Sequence, residues 1–286
     1  MKATTQLRKL LAQPGAIAVP GAGHAGHDRI IEEAGFPAVY MSGSFVSFTY
    51  WLPDVGLLTL TELVQHAKLF AERVSIPVIA DADDGYGSAL TVMRTVREYE
   101  KAGVAALHLE DMFTKKHGVM ASIPAAVNRI KAAVEARTDP DFCIIGRTDA
   151  MAPWRTDLPV SQRADDVLRR SLAFAEAGAD SIFIQNVDNA ATMRRFCSEI
   201  PRPIMVTMGS WDFFPTLTEL GQMGVKIVLY PVQLRDKIVP VMRSLLAELK
   251  SNGRLTFTDS EKKAKVAMNE ALGMSRFHKL IDKYTD

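Results

Sequence analysis

Apolar and polar positions along this chain fall into recurring blocks. Four times a helical stretch closes on a small or flexible residue and a glycine, and a β-rich run follows. Glu33-Ala34-Gly35 precedes Pro37–Met41, and Lys101-Ala102-Gly103 precedes Val104–Leu109. Glu176-Ala177-Gly178 precedes Asp180–Ile184, and Gln222-Met223-Gly224 precedes Val225–Tyr230. Glycine after a helix adopts the left-handed conformation that ends it, and the run that follows reads as a short buried strand. Four more apolar runs fill the gaps: Ala16–Val19, Pro77–Ala80, Phe142–Ile145 and Pro203–Val206. Strands alternating with helices predict an α/β fold with a parallel sheet. Eight such units predict a closed (β/α)8 TIM barrel of about 250 residues. An open doubly wound sheet is the alternative. Polar residues after nearly every strand, rather than after two or three, favour the barrel.

Beyond Lys250 the chain passes Ser251-Asn252-Gly253, and Thr258–Asp286 reads as one or two amphipathic helices outside the eight units. The expected organisation is a catalytic barrel over residues 1–250 and a C-terminal helical extension over 251–286, serving assembly or capping the surface.

Composition narrows the partners. The chain has 286 residues and is 48% hydrophobic, enough for a sizeable core. Its 34 basic and 33 acidic residues leave a net charge of +1, so no basic face for nucleic acid is implied. The two cysteines, Cys143 and Cys197, do not form a disulfide framework, which points to a reducing cytoplasm. Met1–Pro20 has no long apolar core with a small-residue cleavage site, which argues against a signal peptide. No apolar run approaches the roughly 20 residues of a membrane span.

The chemistry gathers where strands end, the active-site face of a barrel. Asp81-Ala82-Asp83-Asp84-Gly85-Tyr86-Gly87 follows the third strand. Three carboxylates crowded there are costly without a positive partner, and a divalent cation is the simplest one. The fourth strand ends in His108-Leu109-Glu110-Asp111 and the fifth in Arg147-Thr148-Asp149. Residues two apart on a strand share a face, so Asp81 with Asp83, and His108 with Glu110, can address a common centre. Magnesium suits this oxygen set, because it keeps several waters and needs only one or two carboxylates. No close Cys/His array of zinc type is present. The plainer alternative is that Asp83 and Asp84 cap the next helix while Asp81 pairs with a lysine. Arg147 leaves an apolar strand, and its guanidinium can grip a substrate carboxylate through two parallel bonds, or form a fixed salt bridge to Asp149 or Glu110. Ser42-Gly43-Ser44, after Tyr40, can offer N–H groups and hydroxyls to a carboxylate, or be an ordinary turn. Gly21-Ala22-Gly23-His24-Ala25-Gly26 matches G-x-G-x-x-G, but Ser42 stands where a dinucleotide fold needs an acid to hold the ribose.

Together these residues resemble the isocitrate lyase/phosphoenolpyruvate mutase superfamily. The matching motifs are Pro20-Gly21, Glu33-Ala34-Gly35-Phe36, Tyr40-x-Ser42-Gly43-Ser44, Leu52-Pro53-Asp54, the acid stretch at 81–87, His108-x-Glu110-Asp111 and Arg147-Thr148-Asp149-Ala150. They cover about residues 15 to 235 in order. The likeness is closest to the short bacterial members, which include 2-methylisocitrate lyases, oxaloacetate decarboxylases and carboxyphosphonoenolpyruvate mutases. The resemblance implies a barrel that binds Mg2+ or Mn2+, small 2-oxo or 2-hydroxy dicarboxylate substrates and an enolate intermediate. It implies a homotetramer, a dimer of dimers, whose C-terminal helix is exchanged between subunits. Asp81 would ligate the metal, Asp83 and Glu110 would act mostly through waters, and Asp54 would support the shell. Tyr40, Ser42, Gly43, Ser44 and Arg147 would hold the substrate, with Gln185 and Thr207 at the ends of strands six and seven.

Several positions depart from the family pattern. The lyases carry a gate with a catalytic cysteine, Lys-Lys-Cys-Gly-His or Lys-Arg-Cys-Gly-His, where this chain has Lys115-Lys116-His117-Gly118-Val119. Gln185 replaces an expected glutamate and Thr207 an expected asparagine. The expected activity is therefore carbon–carbon lysis or decarboxylation on a substrate other than methylisocitrate, with His117 returning a proton. Phosphorus transfer of the phosphonomutase type and a non-catalytic binding protein on the same scaffold are the alternatives.

Overall fold

The computed structural model describes residues 1–113, 119–155, 157–208 and 213–285. Among them, β1 (Ile17–Ala22), β2 (Val39–Met41), β3 (Val78–Asp81), β4 (Ala106–Glu110), β5 (Cys143–Thr148), β6 (Ser181–Val187), β7 (Ile204–Met208) and β8 (Val225–Tyr230) close a parallel barrel. β1 pairs with both β2 and β8, which removes the edges an open sheet would have. All eight expected strands are present. Several run further than the apolar runs because the polar residues that follow stay in the ladder. Asp81 lies opposite His108, and Glu110 opposite Arg147. That register carries the chemistry to one end of the barrel.

Side chains alternate between two cores, as the two-residue period of a strand requires. Val19, Tyr40, Ile79, Ile145, Phe183 and Leu229 belong to one buried cluster, which also takes in Leu7. Val39, Met41, Val78, Ala80, Ile144 and Ile182 belong to the other, packed under the outer helices. Those helices are α2 (Ala25–Glu33), α4 (Leu60–Arg73), α5 (Ala89–Ala102), α6 (Ile123–Ala136), α7 (Val160–Glu176), α8 (Ala190–Glu199) and α9 (Leu217–Met223), with the short α3 (Gly43–Thr49) inserted after β2. The glycines read as helix stops, Gly35, Gly103, Gly178 and Gly224, all have positive φ, between 84° and 101°.

A further helix, α1 (Ala3–Ala12), closes the base of the barrel. Leu7 is fully buried there. Arg8 pairs with Asp180 at 2.9 Å and donates to the carbonyl of Asp141 at 3.1 Å. Lys226, low on β8, donates to the carbonyls of Gln13 and Gly15.

The chain divides into two compact units, Met1–Arg235 and Asp236–Asp286. The second holds most of α10 (Gln233–Asn252), then α11 (Asp259–Ala271) and α12 (Met274–Tyr284). A capping box of Thr258 and Glu261 starts α11. Met274, Phe277, Ile281 and Tyr284 recur at helical spacing on α12 and are all exposed. Among the described residues, no helix is long and apolar enough to cross a membrane.

Candidate active site

Two adjoining cavities open at the C-terminal ends of the strands. One, of about 170 Å3, is lined by Asp54, Asp81, Asp83, Glu110, Met112, Arg147, Trp154 and Gln185. The other, of about 180 Å3, shares Asp54, Asp81, Arg147 and Gln185 and adds Tyr40, Ser42, Ser44, Phe183, Thr207, Pro231 and Val232. Every described residue expected in the site except Gly43 lines one or both, and Gly43 touches Asp81 directly. His117 lies outside the described residues.

Asp81 is held from several sides. Tyr40 Oη donates to its Oδ2 at 3.0 Å, and the Gly43 amide to the same oxygen at 3.2 Å. The Asp83 amide donates to Oδ1 at 3.0 Å. A Cβ on Gly43 would come within 2.8 Å of Asp81 Oδ2, so this approach requires glycine. His108 Nε2 lies 2.8 Å from Tyr40 Oη and 3.6 Å from Asp81. Glu110 hangs on the same framework, its amide donating to the Asp83 carbonyl at 2.9 Å. The loop after β3 does not cap the next helix through its acids. Ser88 caps α5, and Asp84 instead accepts the Tyr86 amide at 3.0 Å. Among the described residues Asp81 pairs with no lysine; Arg147 Nη1 lies 3.9 Å from it.

Arg147 forms the fixed ion pair that was one of its two sequence readings. It grips Asp149 through Nε at 3.0 Å and Nη2 at 2.9 Å, and Nη2 also lies 3.2 Å from Glu110. The guanidinium still lines both cavities. A bidentate hold on Asp149 orients it there without precluding a contact from Nη1.

The charges are strained in a consistent way. Burial pushes Asp83 well above the ordinary carboxylate range, helped by the charges of Asp81, Asp54 and Asp84. Burial also raises Glu110 far above its usual value; Arg147 opposes this while Asp149, Asp83 and Asp81 add to it. Asp54, exposed at the rim, is raised by the protein mass around it and by Asp81. For Asp81, burial again opposes charge, but its neighbours outweigh burial and hold the carboxyl below the ordinary range. Burial drives His108 down to about 4, so its imidazole is neutral near pH 7. The largest of the neighbours lowering Asp81 is His108, followed by Arg147 and by the hydrogen bonds from the Asp83 amide and Tyr40.

This donor set fits a hard divalent cation. Carboxylates from the ends of β3 and β4 and from the loop after α3 line one cavity, and a cation would relieve the repulsion that raises Asp83 and Glu110. Among the described residues, no three His, Cys, Asp or Glu side chains are drawn close enough to hold an ion by themselves.

The second cavity adds uncharged side chains to the shared Asp54, Asp81 and Arg147. Ser42 is buried and caps α3, its Oγ accepting the Phe45 amide at 3.3 Å. Ser44 Oγ accepts from Arg235 Nη1 at 3.2 Å. Arg235 was not anticipated; its only signal is a lone arginine in the first turn after Tyr230-Pro231. Gln185 sits where the β6–β7 register shifts, a bulge beside Asn186, which has φ of 63°. Thr207 Oγ1 donates to Gln185 Oε1 at 2.8 Å, so the two replaced positions pair with each other. After β2, Phe45 is buried in the core and Trp51 is 78% exposed. Trp154 lines the first cavity, its Nε1 donating to Met112 Sδ at 3.4 Å.

Residues 7–250 match the sequence family described as phosphoenolpyruvate phosphomutase. The chain is 38% identical to the 2,3-dimethylmalate lyase of Eubacterium barkeri, over 99% of each chain. It is 34% identical to the 2-methylisocitrate lyase of Shewanella oneidensis, over 79% of this chain and 78% of the relative. The solved structure of phosphonopyruvate hydrolase in complex with oxalate and Mg2+ superposes with a TM-score of 0.87 at 26% identity, covering 100% of both chains. The chain belongs to the isocitrate lyase/phosphoenolpyruvate mutase superfamily.

Proposed function

We propose that this protein is a Mg2+-dependent lyase that breaks a carbon–carbon bond in a small 2-hydroxy- or 2-oxo-dicarboxylate, Mn2+ serving as a substitute. The observation that carries this reading is the cavity in which Asp54, Asp81, Asp83 and Glu110 meet Arg147. Asp81, with Asp83, Glu110 and Asp54 acting through waters, would hold the cation. When bound, the cation supplies positive charge for the electron pair left by the breaking bond. Arg147 orients a substrate carboxylate beside it. Tyr40, Ser42, Gly43 and Ser44 receive the other end of the substrate, with Arg235 adding charge through Ser44. Gln185 and Thr207 form the uncharged wall. Glu110, beside Arg147, and His117 are the proton carriers, His117 returning a proton to the product carbanion. The curated lyases named above support bond cleavage rather than another chemistry.

Assembly is part of the proposal. The exposed apolar positions of α12 support exchange of C-terminal helices between subunits, giving a homotetramer of two dimers in the cytoplasm.

Retro-aldol and decarboxylase assays over a panel of 2-hydroxy and 2-oxo diacids, with and without EDTA, test the activity. Turnover should vanish on chelation and return with Mg2+ or Mn2+. Activity surviving complete metal removal would overturn the reading. The phosphonopyruvate hydrolase likeness keeps a phosphorus-transferring alternative, which phosphorus NMR on phosphonopyruvate distinguishes.

A further inference from the structure

The segment between β3 and α5 carries two of the acids in a conformation that a chain does not adopt unaided. Asp83 and Tyr86, neither of them glycine, have φ of 47° and 62°, with Gly85 at 83° and Gly87 at 144°. Such residues persist only where their surroundings over-determine them. One face of α5 does this. Val92, Thr95 and Tyr99 recur at helical spacing and are fully buried. Val92 packs so tightly on Gly85 that a Cβ there would lie 2.4 Å from Val92 Cγ2. Thr95 Oγ1 donates to the Gly85 carbonyl at 3.2 Å.

Tyr99 does more than pack. Its Oη donates to the backbone carbonyl of Asp81 at 2.8 Å and lies 3.1 Å from Tyr86 Oη. One hydroxyl thus touches both the first residue of the segment and its left-handed tyrosine. We propose that Tyr99 is a positioning residue for the Asp81 and Asp83 carboxylates: from behind the sheet, its hydroxyl ties the Asp81 carbonyl to Tyr86 and fixes how both acids face the cavity. Tyr99 itself lines neither cavity, so it acts through the segment. The Glu110 amide, bound to the Asp83 carbonyl, holds the same segment from β4. This inference rests on the metal reading proposed above.

The test is Tyr99→Phe in the full-length protein, which keeps the ring and removes only the hydroxyl, with Mn2+ binding measured by titration calorimetry. One such hydrogen bond is worth roughly fivefold in an equilibrium constant. The Mn2+ dissociation constant should therefore rise about fivefold or more. The metal concentration for half-maximal activity should move with it, and saturating metal should restore kcat. A role in packing alone would lower the melting temperature and leave the Mn2+ affinity of the folded protein unchanged, which overturns the proposal. Tyr86→Phe keeps the bond from Tyr99 to Asp81 and should shift Mn2+ affinity in the same direction by less. Wild-type affinity in that variant also counts against the proposal, even if Tyr99→Phe does not fold. Wild-type protein that binds no Mn2+ overturns the metal reading itself, before any variant is compared.

Discussion

The two ends of the barrel treat charge in opposite ways. At the base, Asp180 has both Arg8 at 2.9 Å and Arg137 at 2.7 Å, and Lys226 is taken up by main-chain carbonyls. At the mouth, Asp54, Asp81, Asp83 and Glu110 crowd around Arg147, and three of the four are pushed above the ordinary carboxylate range. A fold that neutralises its acids at one end has no structural need to leave them in conflict at the other. The difference separates residues that hold the barrel together from residues that await a ligand.

The largest expected effect lies at the mouth. Asp81→Ala should lower kcat/KM by more than roughly a hundredfold. Circular dichroism should remain that of a folded barrel. Near-normal turnover would mean that the crowded acids are not the active site. At the base the effects should reverse. Leu7→Ala removes a fully buried side chain from the barrel interior and should cost about 2–5 kcal/mol in denaturant unfolding. The kcat of the remaining folded protein should hardly change. A large loss of kcat with full stability would break the division between the ends.

A narrower effect concerns Asp28, in the first turn of α2. It is completely buried, and among the described residues neither carboxylate oxygen has a hydrogen-bond partner. Burial pushes it up to about 8. Because the folded form holds the proton more tightly than the unfolded chain, stability is greatest below the unfolded value near 4 and falls as pH rises toward 8. Asp28→Asn removes that slope. It should leave thermal unfolding at pH 4 almost unchanged and raise stability at pH 8 by an amount on the order of 5 kcal/mol. An equal change at both pH values would show that the carboxyl does not titrate in the folded protein.

Much of the fold was legible because its signals are local. Glycine stops and apolar runs located eight strands. Asp81 and Asp83 line one cavity, but β3 ends at Asp81, and Asp83 reaches the cavity from the left-handed turn beyond it rather than by strand alternation. The base plug was not seen. Leu7, Leu10 and Leu11 have helical spacing, but nothing local tells where such a helix docks. The glycine-rich stretch after β1 misleads for a similar reason. A Cβ on Gly21 would lie 2.2 Å from the Pro231 carbonyl, and one on Gly23 would lie 2.6 Å from Phe45. Those glycines serve close packing across the chain rather than a phosphate. Arg147 was recognised with two possible partners, because sequence cannot weigh an internal carboxylate against a substrate. Arg235 escaped notice because its link to Ser44 spans 191 residues.

The hold on Asp81 has a consequence for which ions the mouth can accept. Oδ2 is fixed by Tyr40 and Gly43, and Oδ1 by the Asp83 amide. A carboxylate anchored on both oxygens cannot swing or spread into a bidentate clasp. Calcium relies on such adaptable ligands, whereas magnesium accepts a single oxygen at a set distance and keeps its own water. Under the metal reading proposed above, these three hydrogen bonds would favour magnesium over calcium at Asp81.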